Sequence, residues 1–240
     1  MEGGPRIGIF SLSSCEGCLV HMLALGGDLL EVLGNVRVTA CRILGVRDDG
    51  GGLDVAIVEG SVMSEEEEER LREIRRRSRI LVALGDCACH GGRFVVKDFG
   101  VERIDIDLPR GVRGFRSDPL DKHVRVDYYL YGCPADKEEI LTLFKDIMLG
   151  RAFKPKGYNV CSECILRENE CLLDAGVACL GPITRGGCRA LCPSFGRECI
   201  GCRGLAEDAN IDSLVRTMRE RGIEPPDHLM ALNRAVRERT

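Results

Sequence analysis

Cysteine is the residue type that most constrains what this chain can fold into. It occurs fourteen times in 240 residues. Five of these cysteines fall in residues 179–204, which read CLGPITRGGCRALCPSFGRECIGCRG. Glycine and proline interrupt this segment so often that neither a helix nor a strand can run far in it. Because the segment can bury too little apolar surface to offset its ordering entropy, some other interaction must hold it folded.

The overall composition is that of a folded soluble protein, with 44% hydrophobic and 30% charged residues. The net charge of −4 comes from interspersed acidic and basic residues, so no basic stripe indicates a nucleic-acid partner. No apolar run approaches the roughly 18 residues that a membrane span needs. The first residues, MEGGPRIGIF, lack a basic signal-peptide start and a twin-arginine motif. We therefore expect a cytoplasmic protein with no membrane span.

This expected location bears on the role of the cysteines, because cytosolic thiols are normally kept reduced. Metal binding is therefore the leading explanation for so many of them. Disulfide bonds, which do occur in the cytosol of some hyperthermophiles, are the alternative.

Strands and helices alternate over the first part of the chain. Short apolar runs predict strands at residues 6–10, 36–44, 54–60, 80–84 and 124–131. Apolar spacing and capping residues predict helices at residues 19–33, 64–77 and 136–149. The alternation predicts an α/β fold, with a flavodoxin-like doubly wound parallel sheet in a domain of residues 1–150.

The remaining residues, 151–240, have a different character. Hydrophobic periodicity disappears after residue 150, while eight cysteines follow before residue 205. Two amphipathic patterns, at residues 211–222 and 228–239, predict terminal helices. We therefore expect a small, loop-rich, cysteine-rich domain that ends in helices.

Four cysteines of the first domain follow predicted strands. Cys15 and Cys18 come after the first strand, Cys87 after the fourth and Cys133 after the fifth. The carboxyl ends of parallel strands meet at one edge of the sheet, where doubly wound folds bind their ligands. The topology therefore predicts that these four thiols lie close together.

A cage of four thiolates accepts either zinc or an iron–sulfur cluster. Structural zinc sites usually combine two close cysteine pairs, whereas here one pair is joined by two isolated cysteines far along the chain. This spacing favours a cluster. A redox dithiol of the thioredoxin type at Cys15 and Cys18 is an alternative, but it leaves Cys87 and Cys133 unexplained.

The second domain contains eight cysteines that divide into two quartets. The first quartet comprises Cys161, Cys164, Cys171 and Cys179. The second comprises Cys188, Cys192, Cys199 and Cys202. Each quartet can bind one cluster, and the metal–thiolate bonds would then hold this loop-rich segment folded.

Two cysteines and the histidines stay outside these sets. Cys41 lies in a predicted strand, and Cys89 follows Cys87 by two residues. We interpret both as small apolar packing residues, with an alternate ligand of the first site as the other possibility for Cys89. The four histidines form no ligand pair in the sequence, although His90 lies beside the predicted first site.

The cysteine motifs and their order resemble those of a known family. The stretches are FSLSSCEGCLVHMLAL, EGSV, ALGDCACHGG, YGCPADK, CSEC and the segment of residues 179–204. They resemble the small, electron-transferring subunit of nickel–iron hydrogenases, in particular the cytosolic sulfhydrogenase delta subunits and the gamma subunits of methanogen deazaflavin-linked hydrogenases. The resemblance covers residues 6–204.

The resemblance implies three 4Fe-4S clusters. It places the proximal cluster on the first-domain quartet, the distal cluster on the quartet that starts at Cys161, and the medial cluster on the quartet that starts at Cys188. Many periplasmic relatives have histidine at the position of Cys161 and proline at that of Cys192, so cysteine at both implies four irons in each cluster. Ala135 replaces a proline that is usual in the family, and this change removes no ligand.

The resemblance also implies the partners of this chain. Bond cleavage would take place in a separate nickel–iron large subunit, and electrons would pass through the clusters to a subunit that reduces flavin, NAD(P) or deazaflavin. Two other functions stay open on the sequence. One is an electron-transfer subunit of a redox complex that is not a hydrogenase, and the other is a zinc-stabilised interaction module.

Overall fold

The fold comes from a computed structural model, which describes residues 4–92, 117–227, 229 and 230. The described residues up to Pro155 form one compact unit, and those from Lys156 onward form a second.

The first unit is built on a parallel sheet. Its strands, within the described residues, are β1 Arg6–Ser11, β2 Arg37–Cys41, β3 Leu53–Glu59, β4 Ser78–Leu84 and β5 Tyr128–Leu130. They lie in the order β2-β1-β3-β4-β5, and every neighbouring pair is parallel. This is the flavodoxin-like order, in which the chain reverses its direction of winding between β1 and β3. The predicted fold class of this unit is confirmed.

The central strand β3 shows why the sheet is covered on both faces. Val55 and Ile57 point into one apolar core, and the alternating residues Ala56 and Val58 point into another. All four side chains are buried. A strand with helices on both sides needs apolar residues at consecutive positions, which is the pattern of its sequence.

Five α-helices accompany this sheet in the described residues. They are α1 Gly17–Leu23, α2 Gly27–Leu33, α3 Glu65–Arg77, α4 Gly85–His90 and α5 Lys137–Met148. Helices α1, α2 and α5 pack on the face of Val55, while α3 and α4 pack on the face of Ala56. The sheet is therefore enclosed between two helical layers.

Two of these helices begin at the capping residues that the sequence indicates. The Ser64 hydroxyl accepts a hydrogen bond from the Glu67 N–H (3.2 Å) at the start of α3. The Asp136 carboxylate accepts from the N–H groups of Glu138 and Glu139 at the start of α5. The helices predicted at residues 64–77 and 136–149 are thus confirmed.

Several boundaries differ from the sequence prediction. The single helix predicted at residues 19–33 is wrong, because the chain breaks between α1 and α2, where Gly26 has a φ of 59°. The strand predicted at residues 36–44 ends at Cys41 and continues as a 3-10 turn, Arg42–Leu44. Strand β5 is shorter than predicted, and α4, which follows β4 directly, was not predicted at all.

The second unit is small. Three of its α-helices have both ends within the described residues, and Asp227, Leu229 and Met230 are helical as well. The three are α6 Val160–Leu166, α7 Leu191–Ser194 and α8 Ile211–Glu220. Its apolar core joins Val160 of α6 to Leu214 and Met218 of α8. Helix α8 confirms the first predicted terminal helix. The second, at residues 228–239, lies outside the described residues apart from Leu229 and Met230.

Short helices α6 and α7 were not predicted, because one or two turns offer too few residues for a helical period to show. In the described residues, no helix combines the length and the apolar character that crossing a membrane requires.

Replacing Ser64 by alanine tests the cap of α3. A lost N-cap typically costs about 1 kcal/mol, so we expect amide protons of α3 to exchange with solvent about fivefold faster. The measurement is hydrogen exchange by mass spectrometry. Glu69→Ala, at an exposed position of the same helix, is the matched control and should leave the exchange rate nearly unchanged. Equal exchange rates in the two variants would contradict the capping role.

Candidate metal centres

The four first-domain cysteines meet at one edge of the sheet. Cys15 and Cys18 follow β1, Cys87 lies in α4 just after β4, and Cys133 follows β5. Cys87 and Cys133 lie near enough to Cys18 to raise its pKa, and Cys15 and Cys133 lie near enough to Cys87 to raise the pKa of Cys87. The structure therefore brings together the four thiols that the sequence groups by topology alone.

Burial controls the protonation of these thiols. Desolvation, with smaller contributions from the neighbouring Asp86 and Cys133, raises the pKa of Cys87 to about 12. Desolvation also raises the pKa of Cys18 well above its ordinary value. A thiol of this kind ionises readily only when a cation takes the place of its proton, which is what a metal–thiolate bond does.

Glycine leaves room beside two of these sulfur atoms. A Cβ atom at Gly85 would lie 2.3 Å from the Cys18 sulfur, and one at Gly92 would lie 3.0 Å from the Cys87 sulfur. Both glycines have a positive φ, 83° and 75°, that other residues rarely adopt. The backbone can therefore approach the sulfurs closely, as backbone hydrogen bonding to a cluster requires. These residues fit an iron–sulfur cluster.

A buried carboxylate orients the start of α1. Glu59 ends β3 and is 2% exposed. Its two oxygen atoms accept hydrogen bonds from the N–H groups of Cys18 (3.2 Å) and Leu19 (3.1 Å). Burial raises the pKa of Glu59. This side chain thus ties the backbone of one cysteine to the central strand.

Sequence reasoning missed the role of Glu59, although the residue belongs to the EGSV motif. A usable signal was an acidic residue at the carboxyl end of a predicted central strand, where polar ligand-binding groups collect. Its hydrogen bonds link residues about forty positions apart, so local patterns do not reveal them.

The two remaining cysteines of the first unit lie in its apolar cores. Cys41 is 1% exposed and packs on the α1 side of the sheet. Cys89 is 5% exposed on the other side, where its S–H group donates to the backbone oxygens of Ala83 and Leu130. These positions agree with the packing role predicted for both. His90 pairs with Asp86 (3.0 Å).

The first quartet of the second unit is also brought together. Cys161 and Cys164 lie on α6, and Cys161 interacts with Cys179, Cys164 and Cys171. Burial raises the pKa of Cys161 to about 12. A Cβ atom at Gly181 would lie 3.3 Å from the Cys161 sulfur and 3.5 Å from that of Cys179. Glycine therefore provides space here as it does in the first unit.

Three members of the last quartet lie near one another. Cys202 is near enough to Cys188 and to Cys199 to raise the pKa of each, and burial raises the pKa of Cys199 to about 12. The N–H group of Cys199 donates to the Cys179 sulfur (3.4 Å), so the two quartets of this unit are neighbours. Cys192 lies on α7 and is exposed. Its grouping with the other three stays a prediction.

Over the described ranges, no three histidine, cysteine, aspartate or glutamate side chains are grouped closely enough to hold one metal ion. The thiolates of a four-iron cluster bind four different iron atoms, so they lie farther apart than four thiolates on a single ion.

Comparison with known proteins identifies the family. The family model described as NADH ubiquinone oxidoreductase, 20 Kd subunit, matches residues 15–147. The sulfhydrogenase 2 subunit delta of Pyrococcus furiosus is 38% identical over 219 residues, which cover 90% of this chain and 92% of that relative. The chain belongs to the family of hydrogenase small subunits. A further member of that family, from the vhu F420-non-reducing hydrogenase of Methanocaldococcus jannaschii, is 30% identical over 272 residues, 95% of this chain and 93% of the relative.

Solved hydrogenase structures share the fold. A chain of an NAD+-reducing NiFe hydrogenase in the H2-reduced state aligns with a TM-score of 0.51 and 32% identity, covering 63% of this chain and 96% of that one. A chain of the Ni-Fe-Se hydrogenase from Desulfomicrobium baculatum aligns with a TM-score of 0.58 and 17% identity, covering 83% and 94%. The second likeness supports the fold alone. As a member of this family, the chain is a subunit of an oxidoreductase.

Replacing Gly85 by alanine tests the space beside Cys18. The added Cβ would meet the Cys18 sulfur, so we expect the variant to lose most of the iron bound at the first site while the second unit keeps its own. The measurement is iron per chain after anaerobic purification. Gly45→Ala is the control that separates contact with the sulfur from backbone strain at a positive φ. Gly45 also has a positive φ (71°) but has open space around its Cβ position. Equal iron contents would show that the space beside Cys18 is not required.

Proposed function

We propose that this chain is the electron-transfer subunit of a nickel–iron hydrogenase and that it binds three 4Fe-4S clusters. The observation that carries the proposal is the grouping of cysteines into separate thiol sites, in a chain of the hydrogenase small-subunit family. The first domain, residues 1–150, would hold one cluster, and the second, residues 151–240, would hold two.

The ligand sets follow the three quartets. The proposed ligands of the proximal cluster are Cys15, Cys18, Cys87 and Cys133. Those of the distal cluster are Cys161, Cys164, Cys171 and Cys179. Those of the medial cluster are Cys188, Cys192, Cys199 and Cys202. The short link between Cys199 and Cys179 supports neighbouring medial and distal sites, as stepwise electron transfer requires.

When bound, the clusters supply the electron-carrying chemistry. The residues of the chain bind them through thiolates, exclude water by burial and orient the ligand backbone through groups such as Glu59. Within this proposal, the chain itself breaks no bond of the substrate.

The partners that we propose are a large subunit with the nickel–iron site and a subunit that reduces flavin, NAD(P) or deazaflavin. The names of two relatives support this assignment, since one is a subunit of an NAD-reducing hydrogenase and the other a subunit of a coenzyme F420 hydrogenase. On the first unit, Cys15, Cys133 and Val20 are exposed, which suits a face that another subunit covers. A cytoplasmic location is part of the same proposal.

The first test is an elemental analysis of the chain purified anaerobically with the proteins that accompany it. Three four-iron clusters predict about twelve irons and about twelve acid-labile sulfides per chain, together with nickel in an accompanying large subunit.

The possible results separate the alternatives. Iron and sulfide with no nickel-containing partner would point to a redox complex that is not a hydrogenase. Zinc at about two or three ions per chain, without sulfide, would point to a zinc-stabilised interaction module.

Replacing Cys192 by proline tests the medial ligand set. Helix α7 begins at Leu191, so a proline at residue 192 stands in its first turn, where it is tolerated. With only three thiolates left, the medial site should lose about one iron while the other two sites keep theirs. Electron paramagnetic resonance (EPR) and an iron count measure this change.

The control for this variant is Cys41→Ala, which removes a buried cysteine that belongs to none of the proposed sites. It should leave the iron content and the spectra unchanged. Unchanged spectra in the Cys192→Pro variant would refute the assignment of Cys192 as a ligand.

A further inference from the structure

A second buried carboxylate lies in the cysteine-rich unit. Glu163 stands on α6 between Cys161 and Cys164 and is 6% exposed. Its carboxylate accepts hydrogen bonds from the N–H groups of Gly187 (2.6 Å) and Ala190 (3.0 Å). These two residues flank Cys188 in the chain. A side chain of the distal quartet's helix therefore holds the loop that carries a ligand of the medial quartet.

This loop has a backbone conformation that needs support. Arg189 has a φ of 57° and Ala190 one of 49°, and both lie in the left-handed region that residues with a side chain rarely adopt. Gly187 also has a positive φ, 114°. Consecutive residues in this region persist only where their surroundings hold them. The two hydrogen bonds to Glu163 provide such support on either side of Cys188.

The remaining contacts of Glu163 also come from donors. The Tyr158 hydroxyl donates to one carboxylate oxygen (3.3 Å), and the S–H group of Cys188 faces the other at 3.8 Å. Each carboxylate oxygen thus accepts one backbone N–H group and meets one side-chain hydroxyl or thiol. One of these oxygen atoms lies directly beside the Cys188 sulfur.

The contact between Glu163 and Cys188 has a proton to share only while the thiol is protonated. The thiol gives up that proton when it binds metal. The carboxylate then faces a metal-bound thiolate, while the buried guanidinium of Arg203 acts on the same cysteine with the opposite charge. A fixed negative charge disfavours the addition of an electron nearby, so it lowers the reduction potential of the group that the thiolate binds.

We propose that Glu163 is a positioning residue that holds the Cys188 loop in its strained conformation and lowers the reduction potential of the medial cluster. The inference rests on the proposed function, because it requires a cluster on the quartet of Cys188, Cys192, Cys199 and Cys202. Under this proposal, Glu163 fixes the conformation of the loop that carries Cys188 and lowers the reduction potential of the medial cluster relative to that of its neighbours.

The test is a redox titration of the purified complex, followed by EPR, with wild-type protein and the variant Glu163→Gln. Glutamine keeps the size of the side chain, removes its charge and keeps an oxygen that can accept from one of the two N–H groups. We expect the medial cluster to be reduced more easily, by about tenfold in its reduction equilibrium, which is about 59 mV for a one-electron couple. The variant Glu163→Asp keeps the charge, so its medial potential should lie closer to the wild-type value.

Two further variants show which cluster changes its reduction potential and whether the change is specific to Glu163. Combining Glu163→Gln with Cys192→Pro identifies the cluster whose potential changes, because the proline alters the EPR signal of the medial cluster. Glu220→Gln removes a carboxylate from an exposed position of α8 and should leave all potentials unchanged.

The outcomes distinguish this inference from the function on which it rests. Wild-type protein without iron and sulfide would overturn both. Full clusters in Glu163→Gln, with potentials equal to those of the wild type, would overturn the inference alone. An upward shift confined to the medial signal, absent in Glu220→Gln and reduced in Glu163→Asp, would support it.

Discussion

Parallel pairing of the strands is the constraint on which the first cysteine site depends. Because β1, β3, β4 and β5 all run in one direction, the segments that follow them emerge at the same edge of the sheet. Residues far apart in sequence thus become neighbours without any interaction among themselves. The thiols of Cys15, Cys18, Cys87 and Cys133 are gathered by the sheet, and the apolar cores on its two faces hold that geometry rigid.

Both units use a buried carboxylate to hold the backbone beside a cysteine. Glu59 accepts two N–H groups at the start of α1, and Glu163 accepts two N–H groups that flank Cys188. In each case an acidic side chain satisfies backbone donors that would otherwise be buried without partners. A rigid element thereby controls a loop whose own residues contribute little packing. Such control would matter for thiols that bind the proposed clusters.

The fold was largely predictable because its signals are local. The apolar runs of β3 and β4 and the cap at Ser64 depend on residues close together in the sequence, and the structure confirms them. Errors occurred where tertiary context decides. The run from residue 19 to 33 has helical spacing, yet the chain breaks at Gly26, whose positive φ no spacing rule registers. Helix α6 is too short to show a period, although it carries Cys161 and Cys164.

The sequence by itself determined which side chains can carry the chemistry and, through the alternation of strands and helices, that four cysteines share one edge of a parallel sheet. Both depend on residue type and on local periodicity, which a single sequence displays. Only the tertiary structure decided that Glu59 accepts a hydrogen bond from the backbone of Cys18, that Glu163 supports the Cys188 loop and that the N–H group of Cys199 donates to the Cys179 sulfur. Each of these contacts joins residues 20 or more positions apart, and burial of a carboxylate is a property of the packed fold.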